Sequence, residues 1–211
     1  MTLAEQTFST ADFRRRALNQ SGAPIEQAWR DHGDHVLNPD GIAEVADFKL
    51  KDAAVLIGVI DDDEPRVILT QRTTRLRKHS GQIAFPGGGI DEADGSAEAA
   101  ALREAEEEIG LDPALVEPIA RLPIYLARTG FRIVPVLSVV KPGYALRPNP
   151  DEVADVFEVP LSFLMNPANH RRESAEMLGR LRHFYVMPYG ERRIWGITAG
   201  ILRTLYERLY A

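Results

Sequence analysis

The stretch that most constrains the fold is 85–111, FPGGGIDEADGSAEAAALREAEEEIGL. Three glycines after Pro86 predict a tight turn where the main chain can come close to a ligand. An acidic loop follows, and then a helix that Ser96 can cap and that Gly110, with Pro113 just beyond, can stop. Within it Glu104, Glu107 and Glu108 lie at i, i+3 and i+4 and so share one face. Leu102, Ala105 and Ile109 fall on a different stripe at about 100° per residue. The pattern predicts a helix that packs on a core along one face and carries three carboxylates on an exposed one.

Such a face is costly without a counterion, since like charges at i,i+4 each destabilise a helix by roughly 0.2–0.5 kcal/mol. Arg103, four residues before Glu107, offsets part of this. A hard divalent cation would offset more, because Mg²⁺ takes oxygen ligands and is commonly shared between carboxylates and substrate phosphates. The competing reading is a solvated acidic face. The glycine turn in front favours the ligand, because it would set phosphate recognition beside the carboxylates.

Upstream, 53–60, AAVLIGVI, is an unbroken apolar run of the kind buried on both faces of a sheet. Strands are expected at 53–60, 66–70, 82–85, 116–126, 133–140, 183–187 and 193–195, with a break at Thr129-Gly130 and a loop over 141–152. A short helix is expected at 161–165 and an amphipathic one at 198–210. Strands mixed with a few helices predict an α/β fold, layered α/β/α around a mixed central sheet. Residues 1–45 read as an N-terminal helical extension, with Thr10 a cap for a short helix carrying Arg14–Arg16, and residues 46–211 as the main domain.

Several classes are excluded or disfavoured. The chain has no cysteine, which removes disulfides, thiolate metal sites and cysteine nucleophiles. Its net charge of −6 speaks against a nucleic-acid-coating protein. No apolar run approaches the roughly 20 residues that span a bilayer, and the N-terminus lacks a signal core. The expected location is cytoplasmic, with neither nucleic acid nor membrane as partner. A homodimer is compatible with the sequence, though no residue pattern specifies one.

Directly before the glycines, an acidic chain concentrates Arg72, Arg75, Arg77, Lys78 and His79. Arginine can fork onto phosphate oxygens and lysine adds a point charge; the alternative is a solvated basic loop that balances the acidic helix. His79 is either a phosphate contact or a solvent-facing side chain. Glu152, in the loop NPDEV, is a candidate general base, set against a glutamate of the helix or a plain surface acid. His170 and His183 lack metal-ligand spacing and read as structural. Trp195 and Tyr206 read as core.

Arg103-Glu104-Ala105-Glu106-Glu107-Glu108-Ile109-Gly110-Leu111 resembles the core of the Nudix box, the signature of hydrolases that split diphosphates linked to another moiety. The front half departs from the pattern. Counting back from Arg103 puts Gly95 where the first glutamate belongs, whereas counting forward from Gly88 puts Asp94 there with a loop one residue longer. Leu69-Thr70-Gln71-Arg72, then Arg77, Gly81 and Phe85-Pro86-Gly87-Gly88, is similar to the coenzyme A pyrophosphatase branch, and Ile194-Trp195-Gly196-Ile197-Thr198 extends the likeness.

The resemblance implies a Nudix-type α/β/α sandwich and a metal-dependent hydrolase. It implies Mg²⁺ or Mn²⁺ held by Glu104, Glu107 and Glu108, with catalysis by these and Glu152. Substrate binding falls to Arg72, Arg77, His79, Gly81, Gly87 and Gly88. The implied reaction splits the diphosphate of coenzyme A, with acyl derivatives as further substrates, into 4′-phosphopantetheine and adenosine 3′,5′-bisphosphate. The alternatives are a Nudix hydrolase of ADP-ribose or another nucleoside diphosphate derivative, and a non-catalytic ligand-binding module on the same fold.

Overall fold

The computed structural model describes residues 8–39, 50–73, 81–177 and 179–211. Its organising strand is β1 (Lys51–Ile60), the apolar run singled out above. Successive side chains of a strand point to opposite faces, and here both faces are covered. Ala53, Ile57 and Val59 enter one buried cluster, whereas Ala54, Leu56 and Ile60 enter another on the opposite side. An unbroken apolar run, rather than an alternating one, is what such a position requires.

Around β1 lie β2 (Arg66–Arg72), β3 (Ile83–Ala84), β4 (Gly87–Gly89), β5 (Val116–Arg121), β6 (Tyr125–Ala127), β7 (Phe131–Val140) and β8 (Val153–Pro160). The main path runs β3-β2-β1-β7-β5, with β4 on β1, β6 on β7 and β8 on β2. β1 and β7 pair in parallel from Lys51 opposite Phe131 to Ile60 opposite Val140. The other pairs are antiparallel, so the central sheet is mixed, as the sequence predicts. A second, antiparallel sheet holds β9 (Arg171–Met177), β10 (Arg180–Tyr189) and β11 (Arg192–Trp195).

The helices supply the outer layers. α1 (Thr10–Leu18), with α2 (Ile25–Ala28) and α3 (Asp34–Leu37), precedes the sheet; α4 (Ala97–Ile109) is the acidic helix; α5 (Leu161–Leu164) and α6 (Ile197–Leu209) follow it. α4 packs on the second cluster through Ala97, Ala100, Ala101, Ala105 and Ile109. α6 covers the other face through Ala199, Ile201, Leu202, Leu205 and Leu209, joined there by Phe13 and Ala17 of α1. Phe13 is fully buried, worth about 1.5–3 kcal/mol of transfer free energy, so α1 shares the core of the main sheet. Among the described residues no helix is long and apolar enough to cross a membrane.

Four local expectations change. The glycines form β4 rather than a turn: Gly87, Gly88 and Gly89 stand opposite Val55, Ala54 and Ala53, and a Cβ on Gly87 would strike the Ala54 carbonyl. The single strand expected over 116–126 is two, β5 and β6, because Pro123 has no N–H to continue the ladder. β8 and β9 went unread, since β9 (RRESAEM) has no buried side chain and shows little of the apolar alternation that marks a half-buried strand. Finally, Ser9 rather than Thr10 caps α1, its hydroxyl accepting from the Asp12 N–H at 3.1 Å.

Candidate active site

The local sequence of α4 fixes its ends. Ser96 Oγ accepts from the Ala99 N–H at 3.1 Å, and Gly110, at φ +65°, closes the helix with its N–H on the Glu106 carbonyl at 2.9 Å. The left-handed turn favours glycine there. The glycine strand lies against the acidic side of this helix. A Cβ at Gly88 would overlap the Glu104 carboxylate, so a side chain there would have to displace that carboxylate.

Glu108 is the buried member of the acidic group. It is 2% exposed, which corrects the expectation that all three carboxylates sit on an open face. Its Oε2 accepts from the Gly87 N–H at 3.0 Å and its Oε1 from Arg72 Nη1 at 3.3 Å. Burial pushes its carboxyl up to about 7, opposed by the Gly87 N–H and by Arg72 and reinforced by the charges of Glu152 and Glu104. Glu104, half-buried, is also shifted upward, first by burial and further by Glu107 and Glu152. Glu107 is the outermost, with a side chain 56% exposed.

Arg103 organises the outer edge. Its Nη1 reaches Glu104 at 2.9 Å and Glu107 at 3.1 Å, the i,i+4 pairing expected from the sequence. Its remaining donors fork onto Asp94 at 2.8 and 3.0 Å and reach the Gly89 carbonyl at 3.1 Å. Asp94, where the forward count placed a box carboxylate, therefore holds Arg103.

The loop over 141–152 is brought to the same place by main-chain bonds. The Arg147 and Asn149 N–H groups donate to the Ile109 and Glu108 carbonyls at 2.6 and 2.8 Å, and the Glu152 carbonyl accepts from the Thr73 N–H at 2.9 Å. Glu152 thus joins Glu104 and Glu108, and β2 ends beside them. The basic stretch begins and closes there: Arg72 N–H donates to the Gln82 carbonyl at 2.9 Å, and Gly81 N–H to the Arg72 carbonyl at 3.2 Å. Arg77 and His79, expected phosphate contacts, lie outside the described residues, as do Arg75 and Lys78.

The sequence profile of the NUDIX domain matches residues 49–181. The chain belongs to the Nudix family. It is 42% identical over 155 residues to the uncharacterized Nudix hydrolase NudL of Escherichia coli (strain K12), spanning 74% of this chain and 81% of that protein. To NudL of Shigella boydii serotype 4 (strain Sb227) it is 41% identical over 155 residues, with the same coverage. Among solved structures, DR0079 from Deinococcus radiodurans aligns with a TM-score of 0.47 at 13% identity, over 74% of this chain and 83% of that one.

Nudix hydrolases generally use divalent metal ions such as Mg²⁺ or Mn²⁺, and the donor chemistry of this Nudix site suits them. Glu104, Glu108 and Glu152 offer oxygen alone, and the charge of Glu152 adds to the upward shift of the Glu104 and Glu108 carboxyls, a repulsion that a hard cation relieves. Among the described residues no three acidic or imidazole groups are already gathered round one point.

Trp195 corrects the reading that made it core. It is only half-buried and lines a cavity of about 330 Å³ that also touches Arg72 and Gly87. Tyr206 does pack on the core. His170 is structural as expected, its Nε2 within 2.6 Å of the Leu164 carbonyl and its ring edge-on to Tyr206. His183 stands on the cavity wall. Sequence reasoning missed Asp34, Asn38, Phe131 and Phe184, which share that wall. Only the Ile194–Thr198 segment carried a signal toward it.

Proposed function

We propose that this Nudix protein is a metal-dependent pyrophosphohydrolase that splits the diphosphate of coenzyme A into 4′-phosphopantetheine and adenosine 3′,5′-bisphosphate. The observation that carries the reading is the junction at Glu108. Arg72 and the Gly87 N–H meet there, and Arg72 is hydrogen-bonded to Gly81 and Gln82, the residues that follow Arg75, Arg77, Lys78 and His79 in the sequence. Coenzyme A carries a 3′-phosphate beyond its diphosphate, so it asks for more positive charge than an ordinary dinucleotide does.

Bound at Glu104, Glu107 and Glu108, Mg²⁺ or Mn²⁺ would neutralise the diphosphate and acidify a water. The chain's own residues do the rest. Arg72 orients phosphate oxygens, the glycines of β4 leave room for the substrate to approach the main chain, and Glu152 accepts a proton from the attacking water as its oxygen bonds to phosphorus. The bond from that phosphorus to the bridging oxygen breaks, and the bridging oxygen leaves on the other phosphate. Positioning and charge neutralisation suffice for such a transfer, in keeping with a site without a nucleophilic side chain.

The test is a hydrolysis panel with Mg²⁺ or Mn²⁺ across coenzyme A, ADP-ribose, nucleotide sugars and dinucleoside polyphosphates. Coenzyme A should give the highest kcat/KM. An equal or higher value on ADP-ribose overturns the substrate assignment and leaves a Nudix hydrolase of other nucleoside diphosphate derivatives. No turnover on any member favours a binding module.

A further inference from the structure

Past Gly87 the site opens into the 330 Å³ cavity, and because Arg72 and Gly87 border both, cavity and diphosphate site are continuous. Its walls are chiefly Phe131, Ile133, Met177, Phe184, Trp195 and Ile197. Phe184 and Trp195 pack edge to face with ring centres 5.4 Å apart.

Several of the polar side chains on the walls already have partners. Asp34 accepts from the Tyr125 hydroxyl at 2.7 Å and the Arg128 N–H at 3.2 Å. Asn38 donates to the Asp34 and His183 carbonyls, both at 3.0 Å, and accepts from the His183 N–H at 2.9 Å. Thr198 Oγ1 donates to the Ile83 carbonyl at 2.8 Å, and His183 Nδ1 lies 2.6 Å from Ser174 Oγ. Gln82, Arg128 and Arg182 have partners of their own. What the cavity mainly offers a ligand is therefore apolar surface. A nucleobase buried there would leave ring nitrogens and exocyclic groups unpaired, which is costly; saturated carbon would lose nothing.

We infer that this cavity holds the saturated carbons that adjoin the diphosphate on the non-nucleoside side of the substrate, and that the nucleoside is bound elsewhere. The inference rests on the diphosphate reading above and deepens it. Coenzyme A has such carbons, the branched aliphatic start of its pantetheine arm, whereas both sides of ADP-ribose are sugars. Trp195 and Phe184 are then specificity-determining contacts, and Asp34 of α3 with Asn38 just beyond it builds one wall.

Trp29 and Trp195 are the only tryptophans in the chain, so Trp29→Phe leaves Trp195 as the sole indole reporter. The experiment titrates that variant with ethyl, butyl and hexyl phosphate and with adenosine 3′,5′-bisphosphate. The alkyl phosphates should change Trp195 emission saturably, with Kd falling roughly fourfold per added methylene, while the nucleotide leaves the emission unchanged. The same phosphates, measured as competitive inhibitors of the unaltered protein, read the length dependence without the substitution. A flat length series, or a Trp195 response to the nucleotide at lower concentration than to hexyl phosphate, overturns the inference. Failure to hydrolyse coenzyme A with the length dependence intact would instead sink the substrate assignment and leave the cavity standing.

Discussion

The two halves of the site are built in opposite ways. The acidic half comes from one stretch of chain, 85–111, whose glycine strand lies against the helix with Gly88 beside the Glu104 carboxylate. The apolar half is gathered from distant places, among them Asp34 and Asn38, Phe131, Met177, Phe184, and Trp195 to Thr198. One half works by charge and fixed donors, the other by shape and burial. A local motif can therefore carry the reaction type unchanged while dispersed side chains set what is attached to the diphosphate.

That division makes the sharpest forecast for the acidic half. Glu108→Gln should lower kcat by about 10³-fold with the fold retained, since the amide still accepts from Gly87. It should also change pH behaviour in EDTA. The Glu108 carboxyl, held at about 7 in the folded protein by burial, lies above the carboxylate range of an unfolded chain at about 4.3. The folded state then binds the extra proton, so its stability falls as pH rises from about 4.5 to 7. Thermal midpoints across that window should slope downward in the unaltered protein and flatten in Glu108→Gln; identical slopes would refute this assignment.

Next in size is Glu152→Gln, expected to cost about 10² in rate while Mg²⁺ dependence stays put. A loss under threefold in stopped-point assays returns the base role to a glutamate of α4. Smaller again are Arg72→Gln and Arg77→Gln, each expected to lose about 10–100-fold in kcat/KM on coenzyme A, the worth of one hydrogen bond to a charged group. Arg77→Gln should lose much less on dephospho-coenzyme A if it meets the 3′-phosphate; equal losses place it at the diphosphate. Both variants within twofold on both substrates would reduce the stretch to a solvated basic loop.

The smallest effect on chemistry belongs to the apolar half. Tyr125→Phe removes a donor from buried Asp34 and should cost about 1–3 kcal/mol of stability, read by denaturant unfolding. With the Arg128 end of the wall loosened, KM on coenzyme A should rise about threefold at unchanged kcat. A fall in kcat as large as that of Glu152→Gln would erase the proposed separation between the two halves.

The same contrast explains what could be read from the sequence. Helix α4, its caps, the pairing of Arg103 with Glu107 and the double-sided burial of β1 were legible because each depends on neighbours within a few positions. The burial of Glu108 was not, although Ala101 and Ala105 precede it by seven and three residues on one stripe and pointed inward. β9 hid because none of its side chains is fully buried, leaving little hydrophobic period to detect. Trp195 was misplaced because a half-buried aromatic on a cavity wall has the same local pattern as one in a core. The Asp34–Tyr125 contact spans 91 positions, and nothing near either residue announces it.

The loop that delivers Glu152 is held by the Arg147, Asn149 and Thr73 amides and by carbonyl oxygens, groups that nearly every amino acid possesses. The side chains at 151 and 152 can consequently be exchanged without surrendering those main-chain bonds, provided proline does not replace a donor. Residues 151 and 152 form a mounting point beside a diphosphate-cleaving centre whose placement does not depend on what is mounted. A randomised library at those two positions should retain folded protein in most members, and new reactivities would be sought there before anywhere on α4, where altering one carboxylate disturbs the rest.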